Sequence, residues 1–96
     1  MALVIRTDGS EEDLDLSDGD LLKKLQTAVG GYIEQLWLGD GVRMFVDEEG
    51  LLKGKKENFR ATEIVKENAP QYLWSGNRIV GDVVLCDNSE LDDEEA

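Results

Sequence analysis

Ninety-six residues carrying 22 Asp+Glu against 10 Lys+Arg give a net charge of −12, with no His, one Cys and one Pro. The absent imidazole excludes a His-based triad, a His metal ligand and a His proton shuttle, and a single Cys excludes an intrachain disulfide or a thiolate zinc cluster. The length suits one domain, and 25 Val, Ile and Leu residues are enough for one hydrophobic core but not for two.

Ala2–Arg6 (ALVIR) reads as a strand, Asp8-Gly9 as a turn, and the alternating Glu12–Leu16 (EDLDL) as the second arm of a hairpin. Ser17 with Asp20 has the spacing of a helix capping box. Leu21, Leu22, Leu25, Ala28 and Val29 then recur at helical spacing, and Gly30-Gly31 stops that helix by supplying a positive φ. Tyr32–Leu38 and Val42–Asp47 flank Gly39-Asp40-Gly41, which makes a second hairpin. In its second arm Val42, Met44 and Val46 share one face, and Arg43, Phe45 and Asp47 share the other.

Asp47–Gly50 is a turn, and the polar, basic Leu51–Glu57 is an extension and a loop. Asn58 is a good N-cap for a helix from Phe59 to about Asn68, with Ala61, Ile64 and Val65 as its apolar stripe and Pro70 terminating it. Gln71–Asn77 reads as a loop with two aromatics. Arg78–Cys86 reads as a strand with Ile79, Val83 and Leu85 on one face, and Val80 and Val84 with Asp82 on the other. The order ββαββαβ predicts an α+β fold, a mainly antiparallel sheet with both helices packed on one face.

Charge marks the end of the chain. Residues 87–96 contain six acids and no base, so a compact domain over 1–86 is expected to be followed by a disordered acidic tail. The acidity speaks against direct nucleic-acid binding through a basic face. It leaves two readings, simple solubility or an imitation of a phosphate array. No long apolar run and no basic leader segment are present, so no membrane partner and a cytoplasmic location are expected.

Motifs of known chemistry fail on their spacing. Asp13-x-Asp15-x-Ser17 opens like a calcium loop but has Asp18 where Gly is needed and Lys24 where Glu is needed. Gly39-x-Gly41 lacks a third Gly, and Gly50–Lys56 has the wrong spacing for a phosphate loop. Cys86 ends an apolar strand and reads as a core residue. No catalytic residue, metal ligand or cofactor is assigned.

Two surfaces stand out. Lys53, Lys55, Lys56 and Arg60 gather four of the ten bases beside Asn58 and the start of the second helix, where an anion would be favoured. These bases are either a solvated loop that balances nearby acids, an anion site or a docking patch. The second surface is the loop carrying Tyr72 and Trp74, in which Trp74 is either a core plug or a docking residue. Glu34, Arg60 and Asp82 are each charged beside apolar segments, and either face one another across a cleft or point outward.

Leu3-Val4-Ile5, Gly30-Gly31-Tyr32-Ile33-Glu34, Val46-Asp47-Glu48-Glu49-Gly50, Asn58-Phe-Arg60-Ala61-Thr62 and Ile79–Leu85 together give the chain a recognisable pattern. It resembles a family of small uncharacterised domains found in bacteriophages, archaeal viruses, plasmids and other mobile elements. Lys55-Lys56 departs from the less charged segment that the resemblance leads one to expect. The resemblance implies an accessory protein of a mobile element, with no activity attached. The resulting expectation is a non-enzymatic acidic binding or regulatory protein that acts on a host defence or regulatory protein through Tyr72 and Trp74. The alternative is a module that sequesters a nucleotide or other phosphorylated small molecule through Lys53, Lys55, Lys56, Asn58 and Arg60. The oligomeric state is left open.

Overall fold

A computed structural model describes residues 2–17 and 19–87. The chain forms β1 (Ala2–Ile5), β2 (Glu11–Leu14), α1 (Leu21–Val29), β3 (Ile33–Gly39), β4 (Val42–Asp47), α2 (Phe59–Asn68), a 3-10 turn (Pro70–Leu73) and β5 (Val83–Asp87). The five strands make one antiparallel sheet in the order β2-β1-β5-β4-β3. The expected α+β class and element order hold. The acidic segment expected to be disordered lies outside the described residues, except for Asp87, which closes β5 opposite Val42.

The helices do not share a face. α2 covers one side of the sheet, where Ala61 and Val65 pack with Ile5, Leu36, Met44 and Val83. α1 covers the other side, where Leu25 and Val29 pack with Val4, Phe45, Val84 and Cys86. The reason lies in the strands themselves. β1 (ALVI) and β5 (VVLCD) are apolar at successive positions, so both faces of the central strands need covering, and one layer of helices would leave half of them wet. Val83 and Val84 are both fully buried on opposite sides of β5.

Local chemistry sets the boundaries. Asp20, not Ser17, caps α1 by accepting from the Lys23 amide, while the Ser17 amide and hydroxyl both turn back to Asp15. Gly30, at φ +82°, ends α1 by donating to the Gln26 carbonyl. Gly39, Asp40 and Gly41 all adopt positive φ in the β3–β4 turn, which follows a register shift at Trp37–Gly39. The segment before β5 is less regular than a nine-residue strand would be, because Gly81 (φ +78°) breaks it and Val80 makes only an isolated bridge to Glu57. Among the described residues no helix is long and apolar enough to cross a membrane.

Candidate functional site

Alternation in β4 turns Asp47 toward α1, together with Phe45, and there its side chain is wholly buried. The chain then bends at Gly50, and the following loop brings Lys53 and Lys55 back over the carboxylate. Their ammonium groups lie 2.8 and 2.7 Å from Asp47 Oδ2, while Oδ1 accepts from the Glu49 amide at 2.9 Å. Burial alone would raise the pKa of this carboxyl, but the two lysines and the amide outweigh it and hold its pKa at about 2. The hydrogen bond from Lys53 to Asp47 in turn raises the pKa of that lysine.

The same lysines cap α1. Lys55 Nζ donates to the Val29 carbonyl at 2.7 Å and Lys53 Nζ to the Gly30 carbonyl at 3.3 Å, placing positive charge at the negative end of the helix. Glycine makes room for this knot. A Cβ on Gly31 would stand 2.6 Å from Lys53 Nζ and 2.8 Å from both Asp47 oxygens, and one on Gly81 would stand 2.8 Å from Lys55 Cδ. Three stretches of the sequence pattern, Gly30-Gly31, Asp47–Gly50 and Gly81, therefore meet at one ionic junction. Its carboxylate is buried and engaged by two ammonium groups and an amide, which ties it to the junction.

The remaining basic-loop residues are held apart. Asn58 is fully buried: its Oδ1 accepts from the Ala61 amide, and its Nδ2 donates to the carbonyls of Ile5 and Gly81. Arg60 lies against Glu11 on β2, with Nε 3.5 Å from the carboxylate. Lys56 is exposed. Nor do Glu34, Arg60 and Asp82 converge. Asp82 accepts from the Thr7 amide and from Arg6, and Glu34 is on β3, at the edge of the sheet opposite to β2.

The second surface assembles around β3. Tyr72, half-buried in the 3-10 turn, accepts a hydrogen bond from the Trp37 amide through its hydroxyl at 3.0 Å. Trp74, two residues on, is 79% exposed and so does not plug the core. Between this segment and the sheet lies a cleft of about 130 Å³, floored by Leu36, Val46 and Ile79 and bordered by Glu34, Glu48, Tyr72 and Arg78. On the opposite side of the sheet, Trp37 carries the Arg43 guanidinium 4.2 Å from its ring centre. The sequence pointed to Tyr72 and Trp74 but not to the edge strand beside them. The signal was available in β3, whose single charged residue, Glu34, contrasts with three successive acids in β2.

A wider groove of about 490 Å³ runs between α1 and the β1–β2 hairpin, lined by both acids and lysines, including Asp20, Glu12, Lys23 and Lys24. Among the described residues, no group of three or more His, Cys, Asp or Glu side chains is placed to hold a metal ion.

The chain matches, over residues 1–96, the family described as a domain of unknown function, DUF3846, and it belongs to that family. No curated protein and no solved structure gives a significant match.

Proposed function

We propose that the protein is a non-enzymatic, acidic binding protein of a virus or other mobile element, acting on a host defence or regulatory protein. The observation that carries this reading is Trp74, a large aromatic 79% exposed on a short turn beside an open sheet edge. Burying such a side chain in a partner supplies affinity, while the net charge of −12 steers a basic partner toward the surface. Among the described residues Asp47 is the acid whose side chain is wholly buried, and its two lysines and the Glu49 amide tie it into a structural junction, which speaks against a role in proton transfer.

Capture from host lysate on immobilised protein tests the reading. A specific partner should be retained by the native chain and lost, at least tenfold, with Trp74→Ala. Retention unchanged by that substitution, or no partner, counts against it. A nucleotide panel in a thermal-shift assay separates the alternative, since a ligand at about 100 times its Kd stabilises by about 2.7 kcal/mol. Because Lys53, Lys55 and Asn58 are engaged within the fold, no shift is expected.

A further inference from the structure

β3 is a seven-residue edge strand whose outer side is only partly closed. Its inner pairing can be read from the backbone: the Glu48 amide donates to the Tyr32 carbonyl, so Tyr32, Glu34 and Leu36 direct their polar groups toward β4. Ile33, Gln35 and Trp37 accordingly direct theirs outward. Among the described residues, the Trp37 amide alone finds a hydrogen-bond partner on that side, the Tyr72 hydroxyl. The other edge, β2, is shielded by Glu11, Glu12 and Asp13 in succession.

We propose, building on the binding-protein reading, that β3 receives an extended basic segment of a partner protein as a sixth strand. The segment pairs with the outward backbone groups of Ile33 and Gln35, and Tyr72 marks the end of the paired stretch. A residue opposite Glu34 projects to the same face as the cleft, which Glu34 and Glu48 border and Leu36 and Val46 floor. Main-chain pairing gives affinity, and a basic side chain with an apolar stem fits the acidic rim and apolar floor. Charge selects the occupant: the protein is strongly acidic, so a basic strand is drawn in and a second copy of this chain is repelled.

The test is fluorescence anisotropy with a labelled short peptide of alternating lysine and valine, titrated with the full chain at low salt. Binding should slow hydrogen exchange at Ile33 and Gln35. It should weaken about tenfold or more when the peptide amides that face β3 are N-methylated. Gln35→Pro removes an outward N–H that β4 does not use, and should abolish binding. Glu34→Lys, an exposed substitution that leaves the backbone intact, should weaken binding about tenfold even if Gln35→Pro fails to fold. Equal affinity for the N-methylated peptide would overturn the proposal, because it reduces the interaction to charge alone. A dimer of the free protein that Gln35→Pro dissolves would also overturn it, since the edge would then belong to a second copy. Capture that depends on Trp74 without protection at β3 would leave the binding-protein reading standing and remove only this mode.

Discussion

Asp47 shows how one side chain can organise three segments. Its carboxylate joins the end of β4 to the loop that follows, and through the two lysines it reaches the last carbonyls of α1. Removing one partner of such a group leaves the others uncompensated, although Lys53 and Lys55 retain some solvent (38% and 23% exposed), which moderates the loss. Asp47→Asn is therefore expected to cost about 2–4 kcal/mol at neutral pH. The folded pKa of about 2 lies below the ordinary 3.8, so the ionised form is favoured by folding. Its contribution, roughly 2 kcal/mol, is complete above about pH 4 and is lost as the pH falls toward 2. Urea unfolding of both proteins at pH 7 and near pH 2 checks this: the gap between them should narrow in acid. A gap that is constant with pH would show that the carboxylate charge is not what stabilises the junction.

At the level of elements, α2 is placed by Asn58 as well as by its own apolar stripe. The cap bond to Ala61 could be supplied by Asp as readily as by Asn. The two bonds from Nδ2, to Ile5 at the end of β1 and to Gly81 before β5, could not. Asn58→Asp would set a carboxylate oxygen against two buried carbonyls, so it should destabilise by about 3 kcal/mol or more, well beyond the ~1 kcal/mol of a lost cap. Chemical denaturation of Asn58→Asp beside Asn58→Ser measures it. Near-native stability of the Asp variant would mean that the cap alone matters.

The sequence made the Asn58 cap legible because capping is local, but its two remote bonds join residues 53 and 23 positions away. Helices and hairpins were legible for the same reason, through apolar period and glycine placement. The opposite placement of the helices was written in the unbroken apolar runs of β1 and β5, yet Asp82 made one face of the last strand look only partly apolar. In the fold, that aspartate sits just before the first residue of β5 and is occupied by Arg6 and Thr7. The lysines were legible as a cluster but not as partners of Asp47, since nothing local says that the loop returns over the strand it has just left. Trp74 likewise carried no local mark separating a core side chain from an exposed one.

Across the whole molecule, β5 is the strand that joins the two halves. It lies between β1 of the first hairpin and β4 of the second, so the sheet is complete only when the end of the chain has docked. That closure gathers the 16 acids and 10 bases of the described residues, a net charge of −6, into a small volume. Self-repulsion of this kind is long-ranged and exposed, and salt screens it as the Debye length falls from about 10 Å at 0.1 M to about 3 Å at 1 M. The Asp47 junction is buried and is screened far less. Added sodium chloride should therefore raise the urea midpoint of the free protein, because relief of repulsion outweighs the weakening of exposed pairs such as Arg60–Glu11. Association with the proposed basic partner would depend on the same field with the opposite sign, so its rate constant should fall over the same range of salt. Stopped-flow association and urea titrations in matched buffers make the comparison. If both quantities fall together, favourable surface pairing rather than net repulsion governs the folded state, and the acidic surface is better balanced than its charge count implies.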